Sequence, residues 1–356
     1  MCDRLSIPAG SLTDTLAAAQ PGDCIILPAG TYEGSFVLPE DVSIAASAGA
    51  DVTLTGGDPV LSIVGGRRSV VQGLKILAGQ GGGIAIEPGP AQLIGVKVSQ
   101  AKDEALLATC TREDCDEREV VITDSELTQS GVGLRVKGAK VRVSGGRIAE
   151  QLGTSLSAGS GVVASGGAKV QLDNVLVEDN QNVGVLIDGA ATRASLTSCN
   201  VKHNLGRGLW VQGQTADAGE VTVDVNGGEF NDNALVGIGA RDTVGLRVTN
   251  AAVKSTTMVR VPVDISRSED VGDGVGLFNG ARAITLQGVT LENNARAQLL
   301  ADSVGSDVKI ESTTFTGGQY RAVVQQTAEA VQVDAMALDD AGVRLFVNAA
   351  AIGLTP

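Results

Sequence analysis

Aromatic residues are scarce: one Trp, two Tyr and five Phe in 356 residues. A core centred on large rings is thereby excluded. The 43% hydrophobic content rests almost entirely on Ala, Val, Leu and Ile, side chains that fill a narrow space between close-facing sheets. Positive charge is also short, with 27 Lys and Arg against 41 Asp and Glu, a net charge of −14 and a pI of about 4.6. Nucleic acid needs a basic footprint that releases counterions, so that partner is excluded. An anionic membrane surface is disfavoured for the same reason. Acidic polysaccharides are awkward partners unless cations gather locally. No stretch of 18 apolar residues is present to span a bilayer as a helix, and no charged-then-apolar leader opens the chain. It opens on Met1-Cys2-Asp3. Two readings stand: an initiator Met ahead of a lipoprotein whose Cys2 carries the lipid anchor, or a cytosolic start with an incidental Cys.

Cysteine is limited to Cys2, Cys24, Cys110, Cys115 and Cys199. An odd count leaves at least one thiol unpaired within a monomer. Cys110 and Cys115 flank a short acidic stretch whose tight turn would bring them within disulfide range. One close Cys pair without a second pair or a nearby His is a poor zinc signal. A disulfide is expected, and with it an oxidising compartment. Cys199 falls where an inward residue belongs and reads as a small buried hydrophobe. Cys24 reads the same way, or pairs with Cys2.

What the chain has is glycine, 47 of them, and a repeat. Val177–Ile187, Val201–Val211 and Leu291–Ala301 align without gaps, the first two offset by 24 residues; Phe315–Val324 follows Leu291 by 24 again, and Phe230–Ile238 follows Val201 by 29. Each copy holds short runs of period-two alternation, such as Lys169–Leu172, Val175–Val177 and Gly184–Ile187, the pattern of strands with one buried face. Three strands in about 24 residues with no helical period between them cannot be βαβ units. They make one three-faced coil. About ten to twelve such coils, stacked in parallel about 4.8 Å apart, account for the length as a single domain spanning 1–356. Asn180, Asn204, Asn233 and Asn294 share one place in their copies. Asn tolerates the left-handed backbone of a corner, and stacked amides can hydrogen-bond along a column.

A solenoid needs its open ends covered. Ser11–Gln20 carries apolar residues at helical spacing behind a capping Ser and reads as a short N-terminal capping helix. Residues 1–34 would form this cap and the first coil, and 343–356 the C-terminal end. The run Leu12–Gln20, Pro21-Gly22-Asp23, Ile25-Ile26-Leu27 and Pro28–Tyr32 resembles the opening of pectin-lyase-like proteins, and residues 165–340 resemble their generic repeat. The resemblance covers most of the chain. It implies an all-β fold, the right-handed single-stranded parallel β-helix. It does not imply an activity, because that group holds lyases, hydrolases, epimerases, adhesins and inert scaffolds.

Hydrolases need carboxylates converging on a glycosidic bond; lyases need a base beside calcium-holding carboxylates. No such constellation stands out. His203, the only histidine, sits at a turn beside Asn204 and reads as a turn residue rather than a general base. Glu113, Asp114, Asp116, Glu117 and Glu119 alternate with Arg112 and Arg118, the pattern of a solvated loop. The longest interruption of the repeat, 254–273, is the best place for a site, since function gathers on loops carried by a rigid scaffold. Its candidate ligands for calcium are Asp264, Glu269, Asp270 and Asp273; no other cofactor is expected.

Outward positions carry the last signal. If Val185 and Ile187 point inward, Leu186 points out. The same position along the copies is Arg135, Val163, Leu186, Trp210, Gly239, Gly276, Leu300 and Val324. The preceding strand carries polar residues outward instead: Lys169, Gln171, Arg193, Thr222, Asp224, Arg247, Thr285, Gln287, Lys309 and Glu311. An apolar stripe through Leu186, Trp210, Leu300 and Val324 would bind a protein, a second copy, or a glycan resting on Trp210. The expected function is a non-enzymatic, secreted or lipid-anchored scaffold or adhesin of the cell envelope. The alternative is a carbohydrate-active lyase or hydrolase.

Overall fold

A computed structural model describes residues 5–6, 11–64, 69–87, 89–153, 157–214, 220, 222–262, 268–305, 307–325 and 331–333. The chain packs as two compact units, Met1–Leu176 and Val177–Pro356.

The first unit begins with the expected helix, Leu12–Ala18, whose N-cap Ser11 accepts a hydrogen bond from the Asp14 N–H at 3.1 Å. Capping of this kind satisfies one of the helix's orphan donors. Leu12 and Leu16 lie one turn apart, are both buried, and face the strand Phe36–Leu38. Strands then come in threes. Cys24–Leu27, Gly30–Glu33 and Phe36–Leu38 make one coil; Ser43–Ala46, Val52–Thr55 and Leu61–Ile63 make the next. Each strand pairs in parallel with its successor one coil later, as in Ile25↔Ile44, Thr31↔Thr53 and Leu38↔Ile63. Alternation sets the faces. In Lys140–Ser144, Val141 and Val143 are buried between Lys140, Arg142 and Ser144, which reach outward. Each buried Val or Leu contributes about 1.5–3 kcal/mol.

The second unit repeats the scheme with Arg193–Thr197, Asn200–Lys202 and Arg207–Gln212, followed by Val223–Asn226, Glu229–Asn231 and Leu235–Arg241. The repeat read from the sequence is the hydrogen-bonding register: Val185↔Leu209, Val201↔Phe230 and Leu291↔Phe315 are partners. The architecture is a parallel β-helix, as expected.

The turn asparagines form the ladder that their spacing suggested. Asn180 Nδ2 donates to Asn204 Oδ1 at 2.8 Å, and Asn204 Nδ2 donates to Asn233 Oδ1 at 2.8 Å. All are fully buried. Thr256 takes the next place and donates its hydroxyl to Asn294 Oδ1 at 2.7 Å. Immediately before each ladder residue stands one with a left-handed backbone: Asp179, His203, Asp232, Ser255 and Asn293, φ 54–55°. Beyond the corner the chain passes so close to the next coil that Gly237 has no room for a side chain. A Cβ there would collide with Val253 and lie 2.8 Å from the Gly274 carbonyl oxygen.

The interruption at 254–273 is not an irregular loop. Val259–Pro262 pairs antiparallel with the start of the long strand Ser268–Phe278, so the insertion is a hairpin grown from a coil strand. The expected C-terminal end, 343–356, lies outside the described residues.

Candidate functional site

The outward column of the third sheet runs Leu186↔Trp210↔Gly239↔Gly276↔Leu300 in the second unit, and Arg135↔Val163 occupy the same place in the first. The last assignment needs correcting: Leu300 pairs with Val323, and Val324 pairs with Ala301 of the inward column. The corner after Phe315 is one residue shorter than the corner after Leu291, which shifts the strand by one.

Nor is this column an exposed stripe. Leu186, Trp210, Leu300 and Val324 are only 3%, 6%, 3% and 7% exposed. For Trp210 the reason lies in the glycines of its own column. A Cβ on Gly239 would collide with the indole, and one on Gly276 would lie 2.6 Å from the Phe278 ring. Both rings therefore lie down on the sheet, 5.9 Å apart at 40°. The indole N–H donates to Gln212 Oε1 at 2.7 Å, and Gln212 Nε2 donates to Asp188 Oδ1 at 3.0 Å.

Arg207 lies over the indole, its guanidinium carbon 4.2 Å from the ring centroid. Its side chain is largely buried; burial first, and the charge of Arg241 second, hold its pKa below the usual arginine value. Among the described residues no carboxylate pairs with it and no acceptor takes its N–H groups. Stacking on an indole contributes about 1–2 kcal/mol, while an unpaired, partly buried charge costs several kcal/mol. The balance is unfavourable, and other arginines of this molecule are placed differently: Arg135 meets Glu104 at 2.5 Å.

Of the four candidate calcium ligands, the side chains of Asp270 and Asp273 are among those described. Asp264 lies outside the described residues, as does the Glu269 side chain. Asp270 is exposed and offers its backbone carbonyl to Arg296. Asp273 is fully buried and ion-paired with Arg296, also accepting the Ala297 N–H at 3.3 Å. Burial drives its pKa up, against the opposing pull of Arg296. Asp273 thus anchors the hairpin to the next coil.

The acidic loop is neutralised as its alternating charges suggested. Arg118 meets Asp114 at 2.6 Å and Lys169 meets Asp116 at 2.7 Å, and the Arg118 side chain holds Asp114 below the usual carboxylate range. Cys110 and Cys115 are disulfide-bonded, their Cα atoms 5.8 Å apart. Cys24 is buried and disulfide-bonded, and Cys199 is buried and free. Cys2, the candidate lipid anchor, lies outside the described residues.

Two features were not legible beforehand. His203 stands between Asp179 at 3.7 Å and Asp232 at 3.6 Å. Glu178, Asp179 and His203 place one ligand atom each within 4.8 Å of one another, the one such group among the described residues; Glu178 is also paired with Lys202 at 3.3 Å. The signal was the shared corner position of Asp179, His203 and Asp232. The second feature is an open cleft of about 310 Å³ on the outward face of the first sheet. Glu220, Leu246, Arg247, Ala283, Thr285, Asp307 and Lys309 line it. Arg247, Thr285 and Lys309 are successive register partners. Two walls are fixed: Arg193 holds Glu220 at 2.8 Å, and Asp224 grips Arg247 at 2.8 and 2.6 Å.

Residues 82–253 match the family model described as right-handed β-helix region. The fold is a right-handed parallel β-helix. Among solved structures, this β-helix is similar to the A-module of mannuronan C-5 epimerase AlgE6 from Azotobacter vinelandii, with a TM-score of 0.54 at 14% identity over 96% of this chain and 90% of that one. The tailspike protein of Dettilon matches with a TM-score of 0.51 at 13% identity, covering 88% of this chain. The β-helix spans 62% of that tailspike's length. The periplasmic alginate epimerase AlgG matches with a TM-score of 0.50 at 9% identity, over 93% and 83% of the two chains. At such identities the likeness is one of fold. No curated protein matches the chain in sequence. Among the described residues no helix is long and apolar enough to cross a membrane.

Proposed function

We propose that this β-helix is an extracytoplasmic, non-catalytic module that contacts glycans. One observation carries the reading: the cleft at Arg247, Thr285 and Lys309. Its volume of about 310 Å³ falls at the small end of the range of ligand sites. Its lining mixes donors and acceptors. Glu220 and Asp307 oppose an anion, and Arg247 and Lys309 oppose a cation. A neutral, hydroxyl-rich ligand satisfies both sets at once. Coil-to-coil stacking repeats outward side chains about every 4.8 Å, which suits a chain of sugars lying along the sheet. The neighbours in fold include a tailspike and two epimerases named for mannuronan and alginate, and glycan contact agrees with that company.

The Cys110–Cys115 disulfide supports an oxidising compartment. The burial of Leu186, Trp210 and Leu300 gives no support to self-association through that face.

The test is a binding screen of the whole protein against neutral and acidic oligosaccharides, run beside the double variant Thr285→Val, Lys309→Ala. Saturable binding by the wild type, weakened at least tenfold in the variant, is the expected result. Binding that ignores the variant moves the site elsewhere. Release of new reducing ends or unsaturated products makes the protein an enzyme and ends the non-catalytic reading.

A further inference from the structure

The corner that carries the buried ladder also has an outer side. Asp179, His203 and Asp232 each stand one residue before a ladder asparagine. The asparagines are fully buried, whereas these three side chains are about half exposed, at 48%, 49% and 48%. His203 lies between the two carboxylates. Its Nδ1 is 3.7 Å from Asp179 Oδ1, and its Nε2 is 3.6 Å from Asp232 Oδ2. Neither separation is a hydrogen bond. The first is close to the spacing of two atoms that share one ion: ligands about 2.1 Å from a tetrahedral zinc stand about 3.4 Å apart. Glu178 adds a third donor, since one ligand atom each from Glu178, Asp179 and His203 lie within 4.8 Å of one another. Rotation of the half-exposed side chains closes the remaining gap.

Asp232 supplies a separate observation. An imidazole gives only one nitrogen to an ion. A metal-bound histidine characteristically directs its other N–H at a carboxylate, which fixes the tautomer, orients the ring and raises its basicity. Asp232 stands in that place, across the ring from Asp179. The carboxylates are thus divided between the two sides of one imidazole rather than merely gathered. Charge points the same way. Glu178, Asp179 and Asp232 carry three negative charges, and Lys202, 3.3 Å from Glu178 Oε2, carries one positive, which leaves −2 with the imidazole neutral. A divalent cation cancels that charge. The ring nitrogen selects the kind of cation, because calcium and magnesium take oxygen ligands while imidazole suits zinc and its neighbours.

We infer that His203, Asp179 and Glu178 bind a divalent transition ion of the zinc type, with Asp232 as the positioning residue for the imidazole. Three protein ligands leave a fourth position for water, as in open zinc sites. The ion ties one coil to the next on the outside of the corner that Asn180 and Asn204 tie on the inside. The site is independent of the cleft and of the glycan reading.

The whole protein, made without a histidine tag and stripped with a chelator, is titrated calorimetrically with zinc and with calcium. The expected result is one equivalent of zinc, bound at least tenfold more tightly than calcium. His203→Asn should weaken zinc at least tenfold; asparagine suits the left-handed corner, as Asn293 does at the same place. Asp232→Asn should weaken zinc about tenfold while the unfolding midpoint of the metal-free protein stays unchanged. His203 is the only histidine, so acylation of imidazole by diethyl pyrocarbonate reports this site alone. Zinc should slow that reaction in the wild type at least tenfold, and calcium should not. No zinc uptake, equal affinity for calcium, undiminished zinc binding in His203→Asn, or acylation that ignores zinc overturns the inference. Undiminished binding in Asp232→Asn overturns the positioning role. If His203→Asn loses its strand signal in circular dichroism, protection of the wild-type histidine decides alone.

Discussion

Replacing Asn204 by alanine tests the internal ladder, and its cost can be worked from the bonds removed. Asn204 Oδ1 accepts from the Asn180 backbone N–H at 3.2 Å and from Asn180 Nδ2 at 2.8 Å. Its own Nδ2 donates to Asn233 Oδ1 at 2.8 Å and, more weakly, to the Val177 carbonyl at 3.4 Å. The site is fully buried, so water does not readily replace what is lost. A hydrogen bond contributes about 1 kcal/mol net, and a deserted buried donor or acceptor costs about 1–3 kcal/mol. Three good bonds lost together place the destabilisation at about 3–5 kcal/mol. Asn204→Asp should be no milder, because it keeps the acceptor, replaces the donor with a second oxygen facing Asn233 Oδ1, and buries a charge. Urea unfolding followed by Trp210 fluorescence and by far-ultraviolet circular dichroism measures both variants. Trp210 stands on the strand that begins just after the ladder residue, and coincidence of the two probes shows whether the unit unfolds as one. A loss below about 1 kcal/mol for Asn204→Ala would refute the reasoning and reduce the asparagines to turn formers.

Gly237→Val should prevent folding of the second unit, because its Cβ has no room beside Val253 and the Gly274 carbonyl; limited proteolysis would show cleavage where the wild type resists. Breaking the buried Asp273–Arg296 pair with Arg296→Gln should cost about 3–5 kcal/mol, read from the urea midpoint, while an unchanged midpoint would mean the hairpin is not anchored there. Denatured, unreduced protein should titrate a single thiol, that of Cys199, since Cys24, Cys110 and Cys115 are all disulfide-bonded and disulfides consume cysteines in pairs.

The parts of the molecule legible in sequence are those where one physical demand acts on one residue. Val141 and Val143 must be apolar because alternation turns them inward, and Asn180, Asn204 and Asn233 must satisfy a left-handed corner and a buried column together. Relations between coils were harder to see. Val324 was misplaced because corner lengths vary, and a one-residue change is enough to exchange the two faces of a strand. Gly239 and Gly276 looked like gaps in an apolar stripe; they are the floor on which Trp210 and Phe278 lie, which a single column of residues does not reveal. The contact of Arg207 with Trp210 spans three residues across the start of a strand and obeys neither the period of two nor the coil repeat. The carboxylates of the 254–273 insertion were grouped by proximity in the chain, but Asp273 had a nearer claim from Arg296 on the following coil.

The spacing of the ladder has a consequence for how such a chain can change. Successive rungs of the amide column are separated by 24, 29 and, from Thr256 to Asn294, 38 residues, yet the bonds that join them are alike in length. The interior does not register how much chain is spent outside it between one corner and the next. Insertions such as the hairpin at Val259–Pro262 can therefore be lengthened, shortened or exchanged while the column closes behind them. A lineage could refit the outer surface for a new ligand without renegotiating the core.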